Sequence, residues 1–143
     1  MSLRCRNNEG QTLVEMVFAL GVAVLVIVAL VAATTVAVRN AQFARSESLA
    51  VKYAQEGMEN MRVYRDASWT VFWAAANGIN YGLSESTPSG PCPSTPNLVN
   101  IFIRCVKLEQ AGTDKVKTTV TVSWTDAKGT HSSTQISYFT NWQ

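Results

Sequence analysis

The stretch Gly10–Arg39, GQTLVEMVFALGVAVLVIVALVAATTVAVR, decides how the rest of the chain is read. Within it, Met16–Val38 holds 23 residues with no charge and no proline. At a rise of about 1.5 Å per residue, that run makes a helix roughly 35 Å long. A bilayer core is about 30 Å thick, so the run spans it with some tilt. In lipid it has to be helical, because the backbone must satisfy its own polar groups there. A weak helix preference of its valines does not outweigh that requirement. A secretory signal peptide differs: its apolar region is shorter and is followed by a small-residue cleavage site. Here the small residue, Gly10, comes first, and a glutamate, Glu15, stands where the apolar run begins.

Glu15 has a local explanation. Thr12-Leu-Val-Glu15 reads as a capping box, with Thr12 bonding the backbone at a helix start and Glu15 reaching back to free N–H groups. The helix dipole also favours a carboxylate there. Capping accounts for an acid near a helix start. It does not account for an acid entering a bilayer, where an unpaired carboxylate costs several kcal/mol.

Gly10-Gln-Thr-Leu-Val-Glu15 resembles the processing site of type IV prepilins and pseudopilins. The resemblance implies cleavage between Gly10 and Gln11 by a prepilin peptidase that also methylates the new first residue. Family members usually start with Phe or Met, and the Gln11 found here leaves its methylation open. Glu15 becomes the fifth mature residue, the one the family associates with assembly. Physically, Glu15 of one subunit can pair with the free amine of Gln11 on the next, which sets register between neighbours. Gly21, Ala23, Ala29, Ala32 and Ala33 permit close helix approach, and are equally ordinary membrane-helix composition. The expected divisions are a leader at 1–10, a transmembrane and assembly helix at 11–38, and an extracytoplasmic pilin-like domain at 39–143. Positive charge flanks both ends of the run (Arg4 and Arg6 before, Arg39 and Arg45 after), so charge alone does not orient it. The processing motif orients it, leader inside and domain outside.

The domain reads as α+β. Ala50, Tyr53, Ala54, Gly57, Met61 and Tyr64 recur at helical steps, broadened by Leu49 and Met58. One helix from about Thr12 to Arg65 is expected, its second half covered by a small antiparallel sheet beginning near residue 80. Ser68 would cap a short helix over Trp69–Ala76, stopped by Asn77-Gly78. Asn80–Ser84 and Leu98–Gln110 read as strands, with a loop over Glu85–Asn97 that carries all four prolines. Lys115–Thr125 alternates Val116, Val120, Val122 and Trp124 with polar residues, and Thr118 is the exception on the apolar side. Asp126–Gly129 turns into a last strand over Thr130–Thr140, with Ile136 and Tyr138 on one face. The segments Ala54–Arg62 and Arg65–Trp69, with Val120–Asp126 and Tyr138–Trp142, look like the helix end and last two strands of pseudopilins related to pilus-modification minor pilins. Residues 77–114 match nothing in that family.

The chain carries a formal net charge of +2, and removing Arg4, Arg6 and Glu9 with the leader leaves ten basic and nine acidic side chains. No electrostatic case for nucleic acid follows. Cys5 lies in the leader. Outside, Cys92 and Cys105 make an even count for an oxidising exterior, predicting a disulfide, with two free buried thiols as the alternative. Trp69, Phe72 and Trp73 close one end of the core or, on the sharper reading, form a sugar-binding platform. His131 reads as surface; a His131–Ser133–Asp126 triad can be drawn, but turn residues rarely hold that geometry. No phosphate loop, metal spacing or cofactor motif occurs. The expectation is a non-enzymatic structural subunit of a type IV pilus or secretion filament. It would reside in the inner membrane and, after assembly, at the cell surface. Its partners would be the peptidase, other pilin subunits and the membrane, with no nucleic acid or small-molecule substrate. The competing reading is an uncleaved, single-pass anchored binding or adhesion domain.

Overall fold

The computed structural model describes residues 9–99 and 101–141, with side chains from Thr12 onward. Cys5, Arg4, Arg6 and Trp142, and the side chain of Gln11, therefore lie outside the described residues. The elements run α1 (Glu9–Ala67), α2 (Trp69–Ala75), β1 (Asn77–Gly82), β2 (Ser89–Pro91), β3 (Ile103–Gln110), β4 (Lys115–Asp126) and β5 (Gly129–Thr140). This is the expected α+β, pilin-like architecture: a long N-terminal helix and a small antiparallel sheet that covers its later part. The chain divides into two compact units at Ala44/Arg45, six residues beyond the expected boundary at Val38.

In the first unit, no part of the apolar segment is buried, and Phe18 is 74% exposed. The helix is long and apolar enough to cross a membrane. Its two threonines are satisfied internally: the Thr34 and Thr35 hydroxyls donate to Val31 O at 2.9 and 2.8 Å. Such back-bonding lets hydroxyls sit in an apolar helix without an outside partner.

In the second unit, the sheet order is β2-β1-β3-β4-β5, with every neighbour antiparallel. Ala50, Ala54, Gly57, Met58 and Met61 of α1 are buried, the stripe that the helical spacing picks out. Opposite them lie Val106 and Leu108 of β3 and Val116, Val120 and Val122 of β4, all fully buried. A buried side chain of this size contributes about 1.5–3 kcal/mol, so this layer is what orders the unit. Gly57 sits where a Cβ would come within 2.9 Å of Val120 Cγ1 and 3.0 Å of Arg104 Cδ, so helix and sheet approach closely only because no side chain intervenes.

Ser68 caps α2 as expected, its hydroxyl accepting from Val71 N–H at 3.4 Å. Phe72 is fully buried and meets Tyr64, Trp69 and Phe139 with ring centroids 5.8–6.0 Å apart. The aromatic cluster thus closes one end of the core.

Three strand expectations need correction. The first strand is Asn77–Gly82 rather than Asn80–Ser84: Asn77 pairs with Glu109 and leaves helix geometry at once, through Gly78 at φ +80°. The expected loop over Glu85–Asn97 contains β2, which pairs with Tyr81 and Gly82. Proline is tolerated there because β2 is an edge. The strand expected from Leu98 starts only at Ile103, because Asn97 ties its own turn to the strand. Its side chain receives Arg104 N–H at 2.7 Å and donates to Arg104 O at 2.9 Å. The turn Asp126–Gly129 forms as expected, with Gly129 at φ +130°. Ile136 and Tyr138 do share a face, but it is the outer one, where they are 54% and 60% exposed.

Candidate functional site

The candidate assembly site is the N-terminal part of α1. The helix already includes Glu9, Gly10 and Gln11, so Thr12 lies inside it. That overturns Thr12 as the cap of the uncut chain: a residue within a helix is not the half-in residue that a capping box requires. Glu15 is exposed, one turn further along. From Leu13 to Val38 the large apolar side chains are exposed by 44–74%. A helix apolar on all sides cannot be stable in water and is solvated by lipid or by other helices.

What the second unit contributes is a rigid seat for its part of α1, and one residue dominates that seat. Arg104 on β3 is 1% exposed. Its Nε donates to Leu83 O at 2.8 Å, and its two terminal nitrogens donate to Tyr53 O at 3.2 Å, Glu56 Oε1 at 3.0 Å and Ser84 O at 3.3 Å. One guanidinium therefore joins α1, β3 and the segment after β1. Buried cations are expensive unless paired and hydrogen-bonded, and this one makes four hydrogen bonds, one of them to a carboxylate. Glu56 is half exposed, so its charge is screened by water, and the carbonyls carry most of the arrangement. Sequence reading passes over Arg104. A basic residue inside Ile-Arg-Cys-Val-Lys-Leu looks like the solvent side of a strand, and only its even parity with Val106 and Leu108 marks it as inward.

Cys92 and Cys105 are joined, with their Cα atoms 5.5 Å apart. The disulfide closes a loop of 13 residues' separation, worth about 3 kcal/mol in the chain-entropy model. It fastens the proline-rich segment to the outer face of the sheet. There, an open cavity of about 300 Å³ is lined by both cysteines, Asn80, Lys107, Thr119 and Thr121.

His131 and Asp126 meet at 3.0 Å, and Ser133 bonds to neither. The Asp126 carboxyl is held below the usual aspartate range, first by the Lys128 backbone N–H at 2.7 Å and then by His131. Glu109 is likewise lowered, chiefly by its bond to Lys107. These are surface arrangements that fasten the last hairpin and the outer face of the sheet. Among the described residues, no cluster of His, Cys, Asp or Glu is arranged to hold a metal ion. No protein-family model, curated protein or solved structure matches this chain.

Proposed function

We propose that this protein is a minor pilin or pseudopilin, a non-enzymatic subunit of a type IV pilus or secretion-type filament. The observation that carries the reading is the first part of α1. It offers a wholly apolar surface to its surroundings and interrupts it with a single acid, Glu15, five residues after Gly10. In the precursor that surface is solvated by the inner membrane, with the domain on the outer side. A prepilin peptidase cuts after Gly10 and exposes the amine of Gln11. Subunits then pack helix against helix, and Glu15 of one neutralises the amine of another. The contact fixes register because a displaced acid would sit unpaired among apolar side chains.

The second unit supports this reading without being its source. Arg104 and the closely approaching Gly57 seat the later part of α1 firmly against the sheet, which gives a subunit a well-ordered domain. The disulfide suits an oxidising exterior.

The test is the intact mass of the membrane-extracted protein, made with and without a prepilin peptidase. Loss of residues 1–10 in its presence supports the proposal. A full-length product in its presence selects the uncleaved anchored domain instead.

A further inference from the structure

The outer face of the sheet carries polar groups that the fold does not use. Strand alternation places Lys107, Glu109, Lys117, Thr119, Thr121 and Ser123 on it. The register sets Asn80, Lys107 and Thr119 level across β1, β3 and β4, with Gly82, Cys105 and Thr121 in the next row. At Gly82 the proline-rich segment lies directly on β1, since a Cβ there would come within 3.1 Å of Pro93 Cδ. The Cys92–Cys105 disulfide stands as a wall beside the two rows. Wall and rows bound the open cavity of about 300 Å³.

The lining has bonding capacity to spare, and its charge is unbalanced. Among the described residues, the side chains of Asn80, Thr119 and Ser123 make no hydrogen bond, whereas the Thr121 hydroxyl meets that of Thr134 at 3.3 Å. Lys107 Nζ lies 2.6 Å from Glu109 Oε1, and Lys117 Nζ lies 3.7 Å from the other oxygen of the same carboxylate. One acid therefore serves two ammonium groups, and Lys115 adds a third cation to the same face of β4. An ammonium has three donors, so Lys107 has capacity beyond its bond to Glu109.

We infer that this cavity binds a sugar acid, a carboxylate-bearing pyranose, free or as one residue of an acidic polysaccharide. Each part of such a ring has a counterpart in the lining. Its carboxylate meets Lys107, on a face where cations outnumber acids. Its hydroxyls both donate and accept, as do the hydroxyls of Thr119 and Ser123 and the amide of Asn80. Its C–H faces meet the disulfide and the threonine methyls. The volume is at the lower end of ligand sites and holds roughly one or two such rings. A bare phosphate would use the charge and leave the hydroxyls and the amide unspent. A nucleic-acid strand would find no aromatic ring among the lining residues on which to stack a base. The site belongs to the sheet alone, so it holds for a cut or an uncut chain and goes beyond the filament reading.

The test is calorimetric titration of the full-length chain in detergent with galacturonate, trigalacturonate and, as the neutral control, maltotriose. Trigalacturonate binds one to one and maltotriose gives no heat over the same concentrations. Galacturonate binding as tightly as the trimer identifies a free ring as the ligand; tighter binding of the trimer identifies a polysaccharide. Lys107→Gln weakens binding by about tenfold or more, as loss of a charge-assisted bond does. Thr119→Val, which keeps the side chain's shape, weakens it by about threefold. Lys128→Gln, on the turn before β5, leaves it unchanged. The thermal midpoint shows that each variant is folded, and Thr119→Val carries the test should Lys107→Gln fail to fold. Equal binding of the acidic and neutral trisaccharides overturns the inference, as does no binding of trigalacturonate in the millimolar range. So does a trinucleotide that binds more tightly than trigalacturonate and is lost in the same variants, which would show a general anion site.

Discussion

The two parts of α1 obey the same backbone rule and are stabilised by opposite means. From Arg45 to Ala67 the helix has one apolar stripe, and Ala50, Ala54, Met58 and Met61 on it are buried by the chain's own sheet. From Met16 to Val38 it carries no charge on any side, and every one of these residues is exposed. The difference teaches where to look for partners. The later part is complete in itself, while the earlier part is complete only in lipid or against other helices.

Substitutions separate the two parts by size of effect. The largest is expected at Arg104. Arg104→Met leaves the carbonyls of Leu83, Tyr53 and Ser84 without this donor and destabilises the second unit by about 3 kcal/mol in denaturant melts. Leu25→Ala, at a position 71% exposed, leaves the same melt unchanged. Equal effects would break the comparison. Next comes Gly57→Ala, where the added methyl meets Val120 and costs about 2 kcal/mol. Differential scanning calorimetry should show a lower Tm with the disulfide intact.

Thr118→Val should act in the other direction. Thr118 is fully buried and its hydroxyl has no hydrogen-bond partner, so replacing it by a methyl raises stability by about 1 kcal/mol. An unchanged or lowered melting midpoint would mean that the hydroxyl is satisfied in solution. The smallest effect is acid sensitivity at the last turn. The folded Asp126 carboxyl titrates below its unfolded value, so its contribution is present above the ordinary aspartate range and is lost as pH falls through the folded value. Trp124 fluorescence should change across that acid window, and the change should vanish in Asp126→Asn.

Much of this was legible in the sequence because it depends on local pattern. The stripe from Ala50 to Met61, the alternation in Val116–Trp124 and the cap at Ser68 each follow from spacing alone. The rest depended on partners distant in the chain. β2 is a strand only because Tyr81 and Gly82 lie beside it, and Leu98, Val99, Ile101 and Phe102 stay outside β3 because Asn97 turns the chain back onto Arg104. Arg104 itself looks like solvent decoration until the helix is laid over it. For the candidate assembly site, Gly10 and Glu15 are singled out by their position against the apolar run and by the resemblance it carries, and their role stays a proposal. The capping role of Thr12 failed because the residues just before it, Glu9–Gln11, are already helical.

The central claim is that Glu15 is tolerated at the edge of the apolar helix because it pairs with the processed end of a neighbouring subunit. The most direct measurement is the fraction of Glu15→Ala protein recovered in sheared filaments against the fraction left in the membrane. The account predicts normal membrane insertion with incorporation lowered by tenfold or more. Incorporation equal to that of the unaltered chain would contradict it.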